Sequence, residues 1–130
     1  MKINISKLSQ TKKSCERLKK VKMSIKTAYK ISKLSNLLDN EIAFYQEQYK
    51  KIIDLYAEKD ENGNYKFIDE TQQSIKIQSD KIKEASSAFE ELQNLEAELP
   101  DIYFTLDEFE KIEITPEDIS GIIDFIKEGE

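Results

Sequence analysis

Neither glycine nor proline interrupts positions 3 to 61 of this 130-residue chain. These are the two strongest local breakers of regular structure, so nearly half the chain is free to be helical, and one helix of extreme length is the limiting case. The apolar spacing selects a shorter arrangement. Met1 to Ile5 alternates apolar and polar residues, as a short strand does. Leu8, Cys15 and Leu18 fit a helix that begins near Ser6 or Ser9. Val21 and Met23 fall off that stripe, which predicts a break at Lys20 to Met23 with Ser24 capping a new start. From there Ile31, Leu34, Leu38, Ile42, Tyr45, Tyr49, Ile52 and Tyr56 recur at spacings of three and four. That is the pattern of a long amphipathic helix running to about Glu58.

The helix should stop in Lys59-Asp60-Glu61-Asn62-Gly63-Asn64, where Asn-Gly is a strong turn signal. Tyr65 to Ile68 and Ser74 to Ile77 read as two short strands around a polar Asp69–Gln73 loop, a hairpin. Ser79 can cap a third helix with Ile82, Ala85, Phe89, Leu92 and Leu95 as its buried stripe. After Pro100, the alternation of Ile102, Phe104 and Leu106 predicts another strand. Thr115-Pro116-Glu117-Asp118 is a helix start, with Thr as cap, Pro at the first position and acids at the positive helix end. Ile119, Ile122, Ile123 and Ile126 supply its core face. No repeat and no linker divides the chain. The expectation is therefore one domain over 1–130, α+β and predominantly α-helical, with long antiparallel helices and a small β-hairpin or sheet element. Its helical part, 1–58, is basic, and its mixed part, 59–130, is acidic.

Charge is distributed unevenly. The first 35 residues carry 11 Lys or Arg against a single acid, Glu16, a net of +10, whereas the remaining 95 hold 9 basic and 25 acidic residues, a net of −16. Such asymmetry reports a basic face that meets a partner, or two ends that meet each other, and so leaves self-association open. The chain holds no histidine, which removes the commonest metal ligand and the neutral-pH proton shuttle. No cofactor or metal is expected, and the expectation is a non-enzymatic protein. Nor is there an 18-residue apolar run or the hydrophobic stretch of a signal peptide, so the expected location is the cytosol, with no membrane contact. The single cysteine, Cys15, fits a reducing compartment. It sits among Lys12, Lys13, Arg17 and Lys19 without a conventional base and reads as a half-buried structural residue.

The organisation resembles an uncharacterised family of small phage and prophage proteins from Gram-positive bacteria, a domain of unknown function. The resemblance runs from about Lys20 onward. It lies in the helical half ending Tyr56-Ala-Glu-Lys-Asp-Glu-Asn-Gly-Asn64, a short extended region, Phe89-Glu-Glu-Leu-Gln-Asn-Leu-Glu-Ala-Glu-Leu99, Leu106-Asp107 and Ile114-Thr-Pro-Glu-Asp-Ile119. It implies a phage origin, a compact helical protein with a small β element, and location in the host cytoplasm or on the virion. It brings no defined activity.

Three local features could carry binding. Glu58 to Asp69 approximates an EF-hand loop, with oxygen ligands at positions one, three, five and twelve and Gly63 at six. Glu58 replaces the usual Asp, Asp69 replaces the usual bidentate Glu, and the following segment looks extended, so a helix stop with a hairpin is the preferred reading. The second feature is a basic face. Lys22, Lys26, Lys30 and Lys33 would fall within roughly 80 degrees of one another on a helix. With Lys12, Lys13, Arg17, Lys19 and Lys20 they form the candidate partner-binding set. These nine could neutralise phosphates, but one Arg and a lone interleaved Tyr29 support only nonspecific nucleic-acid contact. A solvated face, or a ridge paired with the chain's own acids, is the preferred alternative. The third feature is the acidic section 90–130, with 14 acids and two lysines. It could imitate a nucleic-acid backbone in a host enzyme's groove, although capping and solubility account for most of it. Tyr45, Tyr49 and Tyr56 read as core-edge residues.

Together these readings predict a phage interaction protein. It would either be a structural or assembly component that binds other phage proteins, or a host-directed modulator that binds and inhibits a host nucleic-acid-processing or defence protein by charge complementarity.

Overall fold

The computed structural model describes residues 1–68, 71 and 74–127. The architecture is α+β and mostly helical. In chain order it contains β1 (Lys2–Asn4), α1 (Leu8–Leu18), α2 (Ile25–Tyr56), α3 (Ile82–Gln93), β2 (Glu96–Glu98) and α4 (Pro116–Gly121). Helix α2 has 32 residues. No helix among the described residues is long and apolar enough to cross a membrane. The chain divides into two compact units, Met1–Ala43 with Glu96–Glu130, and Phe44–Leu95.

In the first unit β1 pairs antiparallel with β2, which places Ile3 opposite Ala97. Both side chains are buried. The amino terminus extends the pairing, donating to the Leu99 carbonyl at 2.8 Å. Asn4 Oδ1 then accepts from Ser6 N at 2.9 Å and caps a 3-10 turn, Ile5–Lys7, that leads into α1. The α1 stripe of Leu8, Cys15 and Leu18 is buried, and Cys15 is fully rather than half enclosed.

The expected break is present. Helix α1 ends at Leu18, and Ser24 Oγ accepts from Thr27 N at 3.3 Å to cap α2. Ile31, Leu34 and Leu38 all face the core. At the far end Thr115 Oγ1 accepts from Asp118 N at 3.2 Å and Pro116 opens α4. Helix α4 packs against α1 at Gly121. A Cβ there would collide with Ser14 Oγ and stand 2.8 Å from Ser14 Cβ and 3.0 Å from the Gln10 carbonyl.

Two expectations change in this unit. The strand expected over Ile102 to Leu106 contracts to one parallel bridge, Phe104 to Ile126, because Leu106 already begins a 3-10 turn, Leu106–Phe109. Ile123, expected in the core, is 58% exposed. Helix α4 stops at Gly121, and the tighter 3-10 turn Ile123–Phe125 rotates Phe125 inward in its place.

In the second unit the turn after α2 is built as its residues require. Asp60 Oδ1 accepts from Asn62 N at 2.8 Å and from Asn64 N at 3.0 Å, and Gly63 takes φ +82°. The expected hairpin is one bridge wide, Phe67 to Ile75, and the segment after α2 joins it. The result is a closed ring of backbone hydrogen bonds. Glu58 N donates to Lys76 O at 2.8 Å, Lys76 N to Lys66 O at 2.8 Å, and Lys66 N to Glu58 O at 2.9 Å. Most of the Asp69–Gln73 loop lies outside the described residues.

Helix α3 begins at Ile82, later than a Ser79 cap would set it, because a Lys81 N to Gln78 O turn intervenes. Ala85 and Leu92 are buried, but Ile82 and Leu95, expected in the stripe, are 55% and 41% exposed. Ile82 is the first residue of α3 and Leu95 lies two residues beyond its last, so neither has a further helical turn to cover it. Tyr45 and Tyr49 stack at 6.3 Å between ring centroids, and Tyr49 meets Phe89 at 5.2 Å, an aromatic edge to the core.

Candidate basic interface

The nine basic residues of the candidate set do not form one surface. Lys12, half-buried on α1, reaches Glu16 at 2.7 Å, Asp39 of α2 at 2.6 Å and Ser35 Oγ at 2.7 Å. Burial disfavours its charge, but the Asp39 and Glu16 carboxylates outweigh that and raise its pKa. Lys19 donates to the same Glu16 oxygen, Oε1, at 3.2 Å. Hydrogen bonds from Lys12 and Lys19 together hold the Glu16 carboxyl down to about 2. Arg17, the chain's single arginine, donates through Nε to Asp118 Oδ1, and its Nη1 lies 3.8 Å from Glu117. The acids at the start of α4 therefore serve twice, facing the positive helix end and tying α4 to α1.

Lys30 is likewise held within the fold. Its Nζ lies 3.0 Å and 3.2 Å from the two Glu108 oxygens, donates to the Tyr103 carbonyl at 2.9 Å and sits 5.5 Å from the centroid of the Phe104 ring. Glu108 also accepts from Thr27 Oγ1 at 3.1 Å and Thr105 N at 2.7 Å. Burial works against the Glu108 carboxylate, but the Thr105 amide and Lys30 more than compensate, leaving its pKa lowered. The expected helical ridge of Lys22, Lys26, Lys30 and Lys33 is therefore corrected on two counts. Lys22 precedes the first turn of α2, and Lys30 turns inward to Glu108.

Lys13, Lys20, Lys22, Lys26 and Lys33 remain exposed. None has a carboxylate within 4.0 Å among the described residues. No acidic residue occurs between Glu16 and Asp39, and both of those are held by Lys12. The turn before α2 and its first turns thus carry lysines that no carboxylate contacts directly among the described residues. They open onto a cleft of about 470 Å³ lined by Lys22, Lys26, Lys30 and Lys111 together with Asp107, Glu108 and Glu110.

Two exposed apolar side chains share this part of α2. Ile25 is 89% and Tyr29 is 66% exposed. Sequence reasoning did not single out Ile25. Its signal was position, because an isoleucine at the first helical residue lies off the Ile31, Leu34, Leu38 stripe.

The calcium-like loop is organised otherwise. The Glu58 carboxylate receives Lys66 at 3.2 Å and Lys76 at 3.4 Å, chiefly the Lys66 hydrogen bond lowering its pKa, and Asp60 is spent on the turn amides. Its twelfth position, Asp69, lies outside the described residues. Among the described residues no three His, Cys, Asp or Glu side chains group as metal ligands. Burial pushes the Cys15 thiol up to about 11 despite Lys12 and Lys19 nearby, so the neighbouring lysines do not activate it.

The second unit has a separate apolar groove of about 390 Å³ between Ile75–Ile77 and α3, walled by Ile68, Ile82, Ala85 and Phe89. No family model matches the chain, and no curated protein or solved structure matches it either.

Proposed function

We propose that this chain is a non-enzymatic phage or prophage interaction protein, a structural or assembly component that binds other phage proteins through the unpaired part of its basic surface. The observation that carries the reading is the division of the nine basic residues. Lys12, Arg17, Lys19 and Lys30 are neutralised within the fold, while Lys13, Lys20, Lys22, Lys26 and Lys33 are exposed with no carboxylate within 4.0 Å among the described residues. Exposed lysines without a contacting carboxylate are the groups that an acidic partner would meet. The phage setting rests on the family resemblance, and it places the protein in the bacterial host cytoplasm or on the virion.

A host-directed modulator is the second reading. It is favoured by Glu96, Glu98, Asp107, Glu110 and Glu113, which are exposed and likewise without ion pairs among the described residues. Affinity purification of the tagged protein from infected or prophage-induced cells, with nuclease and moderate salt, separates the two. Portal, tail or capsid proteins among the recovered species support assembly. One dominant host protein reverses the ranking, and a signal that disappears with nuclease points to nonspecific nucleic-acid contact.

A further inference from the structure

We infer that the outer face of α2 formed by Ile25, Lys26, Tyr29 and Lys33 docks an acidic amphipathic helix of a protein partner, an inference that rests on the interaction reading above and names the chemistry of what is bound. At 3.6 residues per turn these four positions fall within roughly 100 degrees of one another. Ile25 and Tyr29 are one turn apart, about 6 Å along the axis, and Lys26 and Lys33 are two turns apart, about 10 Å. All four side chains are exposed. The face is thus an apolar pair with two cations along one flank, neither of them within 4.0 Å of a carboxylate among the described residues.

Charge complementarity chooses the occupant. A partner helix with carboxylates seven residues apart beside two apolar side chains one turn apart matches both the spacing and the sign. A phosphate backbone matches only the sign. It offers nothing to cover an isoleucine that is 89% exposed, and the guanidinium that would favour it, on Arg17, is held by Asp118. Nor does the face belong to the fold's own packing, since the buried stripe of α2 in this unit is Ile31, Leu34 and Leu38.

The test is fluorescence anisotropy of the full chain against three labelled probes. The first is a helical peptide of about 20 residues with leucines one turn apart, flanked by glutamates two turns apart, long enough to hold a helix. The second is the same composition scrambled, and the third is a duplex DNA. The patterned peptide should bind saturably and about 10-fold more tightly than either control. The pair I25S/Y29S should weaken it by about 30-fold, a hot-spot-sized loss, and K26E/K33E by about 10-fold with most of its salt dependence removed. Both variants should melt like the parent, because all four side chains are exposed. Equal binding of patterned and scrambled peptides, tighter binding of DNA, or no saturable binding overturns the inference. In the affinity purification, I25S/Y29S that recovers the same phage proteins as the parent refutes this face and leaves the assembly reading standing. A parent chain that recovers none refutes the assembly reading itself.

Discussion

Lys30 Nζ lies 3.0 Å from Glu108 Oε1, joining residues 78 positions apart, with 26% of one side chain and 16% of the other exposed. On sequence alone the lysine belongs to a basic ridge and the glutamate to an acidic tail. In the fold the pair joins α2 to the Leu106–Phe109 turn, with Phe104 beneath the ammonium and Thr27 and Thr105 completing the carboxylate's partners.

Removing one member leaves the other poorly solvated. Lys30→Met should destabilise by about 2 kcal/mol, below the roughly 3–5 kcal/mol of a fully enclosed pair because both side chains keep some exposure. Glu108→Gln retains the shape and should cost less, about 1 kcal/mol. Urea unfolding of the two single variants and the double variant gives the coupling, and additive losses would show that the two residues do not interact energetically.

The carboxylates set the acid response. Glu16 has its pKa lowered from 4.5 to about 2, and Glu108 is shifted in the same direction. A carboxyl whose folded pKa is depressed contributes stability above its unfolded value and loses it as pH falls towards its folded value. Stability should therefore be level above about pH 5 and fall progressively between about pH 4.5 and 2. Glu16→Gln and Glu108→Gln should each flatten that decline in thermal melts. An unchanged slope in both would show that neither shift is linked to folding.

Gly121 and Ser14 make opposite predictions at one contact. Gly121→Ala pushes a methyl group onto Ser14 and the Gln10 carbonyl and should cost about 2–3 kcal/mol. Ser14 is fully buried, and its hydroxyl lacks a partner among the described residues. Ser14→Ala should therefore stabilise by about 1 kcal/mol and recover part of the Gly121→Ala loss in the double variant. Chemical denaturation of the three variants decides this, and a destabilising Ser14→Ala would mean that the hydroxyl is satisfied in solution.

Cys15 should be inert in the folded protein. With its thiol pushed up to about 11 by burial, almost no thiolate exists at neutral pH, and no path from solvent reaches the sulfur. A thiol reagent at neutral pH should label it only at the rate of unfolding, and immediately in denaturant. Rapid native labelling would contradict the enclosure of α1.

Backbone conformation at Gly63 is a fourth point of stability. With φ +82° and nothing within 4 Å of an added Cβ, Gly63→Ala pays only the left-handed backbone cost, about 1 kcal/mol. Melting measures that cost, and an unchanged midpoint would mean the turn adopts another conformation.

The sequence by itself determined the features that short-range chemistry controls. Ser24 caps α2 because its hydroxyl needs only the amide three residues on, and Asp60 with Gly63 makes a turn from five consecutive residues. Thr115 and Pro116 open α4 for the same local reason. The stripe Ile31, Leu34, Leu38 was legible because helical periodicity selects one face wherever that face is buried.

Where a result depends on residues distant in the chain, sequence was silent, and the tertiary structure decided it. The alternation of Ile102, Phe104 and Leu106 did not extend into a strand because a single bridge to Ile126 is all the pairing Phe104 receives. Ile82 sat on the correct stripe but at a helix end with no neighbour to cover it. The basic surface is the clearest case. Nine cations look alike in sequence, and only folding brings Asp39 to Lys12, Asp118 to Arg17 and Glu108 to Lys30, leaving Lys26 and Lys33 beside Ile25 and Tyr29 exposed and unpaired among the described residues. An ion pair forms over a few ångströms of space, whatever the distance in sequence, so composition could count the charges while only the fold could spend them.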